Sequence, residues 1–130
     1  LIAKTGGQGS FRCETGPEAP LPGVPDLSLR ADRAPNVTGA ELLGFVRNDA
    51  DPLAGLKEGD VLVLADEDCT GLDLAKVSRA SAIIVAGTTL PHGVVTPNVV
   101  LPIANVAEEE GTFTNLRGRV QRFLQAKAAP

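Results

Sequence analysis

The chain has no Trp, no Tyr and no Met, and among its 130 residues only four Phe, two Cys and one His. Each scarcity closes a route. Without large aromatics the core must be built from Val, Leu, Ile and Ala, a set that suits a parallel sheet buried on both faces. Cys13 and Cys69 stand far apart and no CxxC pair exists, so neither zinc nor iron–sulfur ligand spacing is present. Two such cysteines read as reduced, small hydrophobic residues rather than a disulfide. No apolar run is long enough to span a bilayer and no signal peptide is visible. The net charge of −4 runs against binding a nucleic-acid backbone, which needs clustered Lys and Arg. The chain starts at Leu1 and carries no Met, so the expectation is a fragment of a longer protein, with any chemistry residing elsewhere.

What is present divides unevenly. Residues 1–36 are rich in Gly and Pro, including Gly6, Gly7, Gly9, Gly16, Pro17, Pro20, Pro22, Gly23 and Pro25. Such a stretch cannot hold a long helix, and an extended lead-in is expected before an α/β domain over 37–130. Thr5-Gly-Gly-Gln-Gly-Ser10 has the glycine content of a phosphate loop, but no helical pattern follows to aim amide groups at an anion. Thr38-Gly-Ala-Glu41 has the spacing of a capping box, with Leu42, Leu43 and Val46 as one apolar helix face ending near Asn48. Asp51-Pro52 signals a second short helical turn, stopped by Gly59.

The strands are plainer. Asp60-Val-Leu-Val-Leu-Ala65 and Ser81-Ala-Ile-Ile-Val-Ala86 are continuous apolar runs of buried-strand length, with a short helix expected between them from Thr70 to Ala80. Strand, helix, strand at this spacing is a βαβ unit. Asn98-Val-Val-Leu101 adds a third strand, and the tail from Gly118 to Gln125 alternates as an extended segment does, with a helix as the other reading. The fold class expected is therefore α/β, Rossmann-like, with a small parallel sheet.

Three groups of residues are candidates for chemistry. Asp66, Glu67 and Asp68 follow the first strand, where open α/β sheets bind ligands, and could meet Mg²⁺ or a ribose as a stand-alone binding module. The simpler reading is a solvated loop that caps the next helix. His92 sits in the loop after the second strand, without a nucleophile or orienting carboxylate that sequence can place beside it. Glu108, Glu109 and Glu110 precede Gly111, and Arg117, Arg119 and Arg122 follow, so the charges would pair if the chain doubles back; exposed pairs of that kind contribute under about 1 kcal/mol each.

A longer pattern is more specific. Asn98-Val-Val-Leu-Pro102, then Ala107-Glu-Glu-Glu-Gly-Thr-Phe-Thr-Asn115, then Gly118-Arg-Val-Gln121 resembles the molybdopterin-oxidoreductase superfamily in order and spacing. Arg30-Ala-Asp-Arg-Ala-Pro-Asn36 and Gly39-Ala40 resemble the segment that precedes its last α/β unit. Gly118-Arg119 is most similar to the family of the G subunit of NADH:quinone oxidoreductase (respiratory complex I), whereas formate dehydrogenases, nitrate reductases and other molybdenum enzymes more often carry two arginines there. The chain departs from the pattern at Thr96-Pro97-Asn98, where Ala-Asp is usual, and at Arg117, where Glu is usual.

The resemblance implies a non-catalytic structural and interaction domain in the large peripheral-arm subunit, on the cytoplasmic face of a bacterial membrane. Its partners would be the rest of that subunit and the other peripheral-arm subunits, with no nucleic acid and no direct membrane insertion. It implies no cofactor in this stretch, iron–sulfur clusters in an N-terminal part of the parent, and electron transfer from NADH to quinone as the parent's activity. The alternative it leaves is a molybdenum-dependent oxidoreductase contributing to a pterin site. The vestigial pterin-side candidates are Gly111, Thr112, Asn115 and Arg119; the two lost carboxylates fit a domain that keeps the fold without the metal. Gly111 is expected to permit a turn, Thr112, Thr114 and Asn115 to fix it through the backbone, and Phe113 to anchor it in the core.

Overall fold

The computed structural model describes residues 6–13, 15–31, 33–91 and 96–128, with the backbone alone at 25 and 26. It is a mixed α/β structure whose chain groups into two units. The first comprises Leu1–Ala50 and Thr112–Arg122, the second Asp51–Gly111 and Phe123–Pro130.

In the second unit, β5 (Val61–Ala65), β6 (Ala82–Gly87) and β7 (Val99–Pro102) form a sheet in that order, parallel throughout. The continuous apolar runs are these strands. A four-residue helix, α2 (Leu74–Val77), lies between β5 and β6 and completes the βαβ unit. Its start differs from the expectation. Asp73, not Thr70, is the N-cap, its carboxylate accepting the Ala75 N–H at 3.0 Å, while the Thr70 amide instead donates to Asp68. Leu53, Leu64, Cys69, Val77, Ile83 and Val85 form the core, with Leu62, Leu72 and Leu74 packed against it. Val77 and Val85 are each 2 % exposed. The core is aliphatic, as the lack of aromatics requires.

Polar side chains pin the ends of these strands. Ser81 Oγ donates to the carbonyls of Gly59 and Asp60 at the start of β5. Asn98 closes the start of β7 on β6 twice over: its N–H donates to the Ile83 carbonyl and its Oδ1 accepts the Ile83 N–H, each at 2.8 Å. Asp51-Pro52 opens a chain of turns rather than a helix, with Ala54 N–H donating to Asp51 O and Leu56 N–H to Leu53 O. Asp51 also holds Lys76 of α2 at 2.5 Å. That bond, foremost, draws its carboxyl below the ordinary aspartate range; partial desolvation opposes the shift, while the charge of Lys76 and the Leu53 amide assist it.

In the first unit the Gly/Pro-rich stretch is extended but paired. The strand β1 (Ser10–Phe11) runs parallel to β4 (Val46–Arg47), and β2 (Ala19–Leu21) pairs antiparallel with β3 (Val24–Leu29) through an irregularity at Pro20/Leu21. The Cys13 N–H donates to Asp49 at 2.9 Å and Arg47 pairs with the same carboxylate at 2.8 Å. The Asp49 carboxyl is lowered accordingly, the Cys13 amide being the main cause. The helix α1 (Val37–Leu42) is shorter than the Thr38–Asn48 pattern suggested, and Gly44, at φ +87°, turns the chain away soon after it.

The tail is extended, not helical. The strands β8 (Gly111–Thr114) and β9 (Val120–Phe123) pair, and the loop between them is too short for a parallel crossover, so they form a hairpin. Beyond β9, the N–H groups of Ala126 and Lys127 both donate to the Ala107 carbonyl, and Lys127 approaches Glu108 at 3.6 Å. Lys127 is not among the arginines, Arg117, Arg119 and Arg122, to which the charge order pointed. Neither Cys13 nor Cys69 is in a disulfide.

Two consequences are measurable. Val77→Ala removes two buried methyl groups from the centre of the aliphatic core and is expected to cost about 2 kcal/mol in chemical denaturation; a loss below about 0.5 kcal/mol would mean that the core lies elsewhere. Because pairing lowers the folded-state pKa of Asp51, its ionised form favours folding near neutral pH. That contribution is lost as pH falls below the ordinary aspartate value of about 4. Asp51→Asn should therefore lower the thermal midpoint at about pH 7 and change it less at about pH 3; equal deficits at both would rule the pair out as the cause.

Candidate functional site

The hairpin residues Thr112 and Thr114 of the longer sequence pattern meet Asn36 in the first unit. Asn36 has left-handed backbone angles, φ 63° and ψ 19°, a conformation that Asn tolerates better than most side chains. It begins α1 through its carbonyl, which accepts the Ala40 N–H at 3.0 Å, but its side chain does not cap the helix. The capping box expected at Thr38 and Glu41 is thus displaced: the helix starts at Val37 and its N-cap is Asn36. The Oδ1 of Asn36 instead accepts the backbone N–H of Thr114 at 2.8 Å, joining positions 78 residues apart. Thr114 is buried, at 8 % exposure, so without this acceptor its amide would lose a partner away from water.

Gly39 makes room for that bond. A Cβ at position 39 would lie 2.1 Å from Asn36 Oδ1, far inside any contact distance. The glycine is needed for the close approach of the asparagine.

On the other side, Asn115 shapes the hairpin turn. Its Oδ1 accepts the N–H groups of Arg117 and Arg119 at 2.9 and 3.0 Å. Its own N–H donates to the Arg119 carbonyl and its carbonyl accepts from Gly118. Gly118, at φ +76°, supplies the left-handed step that closes the turn. Together these two asparagines frame an open cleft of about 540 Å³, lined among others by Arg30, Val37, Thr38, Phe113, Asn115 and Arg117. Among the described residues its lining has two arginines and no acidic side chain, an arrangement that suits an anionic group.

The four pterin-side candidates are not gathered at one point. Asn115 lines the cleft, while Thr112 lines a smaller hollow of about 190 Å³ with Asn36, Gly39, Leu42 and Leu43. Arg119 is exposed at the end of the turn and lines neither cavity, whereas Arg117 lines the first. Gly111 lies inside β8 rather than in a turn. Its reason is steric: a Cβ there would meet the Phe123 ring at 2.9 Å. Phe113 faces the cleft and lies outside the aliphatic core. The residues that sequence reasoning did not single out are Asn36, Gly39 and Arg30. Their only signal was membership of the Arg30–Asn36 and Gly39-Ala40 segment.

The acidic side chains after β5 are spent on hydrogen bonds to their own loop and to Thr88. Asp66 Oδ1 accepts from Thr88 N–H and Oγ1 at 3.3 and 3.1 Å, Glu67 from Cys69 N–H at 2.9 Å, and Asp68 from Thr70 N–H at 2.7 Å. Among the described residues no group of three or more His, Cys, Asp or Glu could hold a metal ion, and no helix is long and apolar enough to cross a membrane. His92 lies outside the described residues, as do Thr5 and Asp32.

Over 105 residues the chain is 35% identical to the G subunit of NADH-quinone oxidoreductase from Pseudomonas putida. The match takes in 76% of this chain and 12% of that protein, so the chain spans about an eighth of its relative's length. No protein-family model and no solved structure matches the chain.

The Asn36–Gly39 geometry makes a double-mutant prediction. Gly→Ala in a helix ordinarily stabilises by up to about 1 kcal/mol. Gly39→Ala should instead destabilise, because it displaces the Asn36 side chain, and the loss should be about 1–3 kcal/mol. In an Asn36→Gly background, which keeps the left-handed backbone but removes the side chain, Gly39→Ala should become neutral or stabilising. Additive effects of the two changes would contradict the clamp.

Proposed function

We propose that this chain is a segment of the G subunit of NADH:quinone oxidoreductase and that it serves there as a structural and interaction element, not as a redox centre. The observation that carries the reading is the 35% identity across most of the chain. The architecture is in keeping with it: the motif residues Asn36, Asn98, Thr114 and Asn115 are committed to backbone hydrogen bonds that hold strands and turns together. Asn98 supports the same reading. Its position needs an acceptor oxygen for the Ile83 amide, which an amide side chain supplies as well as a carboxylate would.

In this reading the segment belongs to the peripheral arm, on the cytoplasmic face of a bacterial membrane. It contacts the rest of its own subunit and neighbouring arm subunits. The iron–sulfur clusters that carry electrons from NADH towards quinone sit in an N-terminal part of the parent. The Asn36–Thr114 bond keeps the hairpin in place for those contacts.

The test is made on the full-length parent, affinity-tagged at its own locus. NADH-dependent quinone reduction is expected to copurify with the tag. A tagged protein free of that activity, or one carrying molybdenum and a fluorescent pterin, would overturn the assignment and favour a molybdenum-dependent oxidoreductase. Within the assembled enzyme, Asn36→Ala should reduce the amount of complex recovered while leaving turnover per complex unchanged. Normal assembly with lowered turnover would show that the cleft takes part in the reaction.

A further inference from the structure

The open cleft between α1 and the β8–β9 hairpin offers hydrogen-bond donors without acceptors to match. Its described lining belongs to Leu1–Ala50 and Thr112–Arg122, so the cleft lies within the first unit. Two asparagines line it, and both have spent their oxygens. Asn36 Oδ1 accepts the Thr114 N–H, and Asn115 Oδ1 accepts the N–H groups of Arg117 and Arg119. Backbone N–H groups can only donate, so in each amide the oxygen must face them and the NH₂ group is left over. No described residue accepts a hydrogen bond from either NH₂ group, nor from the guanidinium of Arg30 or Arg117.

Unspent donors, two of them cationic, call for a group that only accepts and carries negative charge. An ionised carboxylate is such a group, and the planar guanidinium fork matches its two oxygens. The surroundings say what kind of molecule brings it. A site for a free small molecule closes over most of its ligand's surface, whereas this cleft is open and both arginines are exposed. Its described lining pairs those arginines with Phe113 and includes no Lys, Asp or Glu, although the chain as a whole has a net charge of −4. Arginine and aromatic residues without Lys, Asp or Glu are the composition found at the centre of contacts between proteins.

We propose that this cleft is the docking site for an acidic segment of a neighbouring polypeptide, whose Asp or Glu carboxylate is held by Arg30 and Arg117 while an adjacent apolar side chain rests on Phe113. The NH₂ groups of Asn36 and Asn115 supply further donors to that segment. The same two asparagines therefore fix the fold with their oxygens and meet the partner with their nitrogens. This deepens the reading of the chain as an interaction element and rests on it.

The experiment uses the full-length parent, purified with its bound partners, with a photo-crosslinking residue in place of Leu116, an exposed residue of the cleft lining. The expected product joins position 116 to a segment of another polypeptide that contains Asp or Glu. Arg117→Glu should lower its yield about tenfold or more. Arg119→Glu makes the same charge change in the same turn but outside the cleft, and should leave the yield unchanged. Replacing the mapped carboxylate residue by Arg should restore the crosslink to the Arg117→Glu protein. No crosslink, a crosslink within the same polypeptide or to a second copy, one to a segment without Asp or Glu, equal loss in the two variants, or failure of the charge swap each overturns the proposal. So does a small anion recovered from the cleft in place of a protein partner. Quinone reduction is scored on the same preparation. Its absence beside a successful charge swap would sink the assignment to NADH:quinone oxidoreductase and leave the docking site in place; its presence without the acidic crosslink would do the reverse.

Discussion

The Oδ1 atom of Asn36 accepts the N–H of Thr114 at 2.8 Å across 78 residues, and much of the first unit is arranged so that it can. The asparagine gives up helix capping and adopts a left-handed backbone. Position 39 is kept free of a side chain, and α1 begins two residues earlier than its capping-box pattern suggests, with Asn36 rather than Thr38 as N-cap. A buried amide without a partner costs about 1–3 kcal/mol, enough to explain why local preferences yield. The bond also sets one wall of the open cleft against the other, since Asn36 and Thr114 both line it. Cleft geometry and helix start are thus two results of one hydrogen bond.

The parts of this structure legible in the sequence are those governed by local patterns. The strands β5, β6 and β7 follow from short, continuous apolar runs, and β9 from alternation in the tail. Where local reading went astray, a distant partner had intervened. Thr38 and Glu41 have capping-box spacing, but Asn36 is recruited by a hairpin 78 residues away. Gly111 invites a turn assignment, and only the Phe123 ring stacked over it explains why a strand residue must be glycine. Asp51-Pro52 signals a helix start, and the chain makes turns instead while the carboxylate engages Lys76.

The candidate site shows the same division. Sequence located the right hairpin but not the partner of its buried amide. Of the four residues marked on it, Asn115 reaches the cleft, and Arg30 and Arg117 supply the cleft's charge. The acidic loop looked like a metal site because three carboxylates are adjacent in sequence. In space each accepts hydrogen bonds from a residue of its own loop or, for Asp66, from Thr88 at the end of β6. Composition could not distinguish those outcomes, because the acceptors are side-chain oxygens and the donors are mostly backbone amides, which every sequence contains.

The discontinuity of the first unit carries a consequence for synthesis. The parallel sheet is complete in sequence once Pro102 has been made, and its βαβ portion closes over short loops. The first unit needs Thr112–Arg122, so Asn36 must wait for most of the chain to be translated before its partner exists. At about 5–20 residues per second, that interval lasts several seconds. During it the Asn36 side chain has no Thr114 amide to bind, so within this stretch the part made first is the one whose structure is finished later.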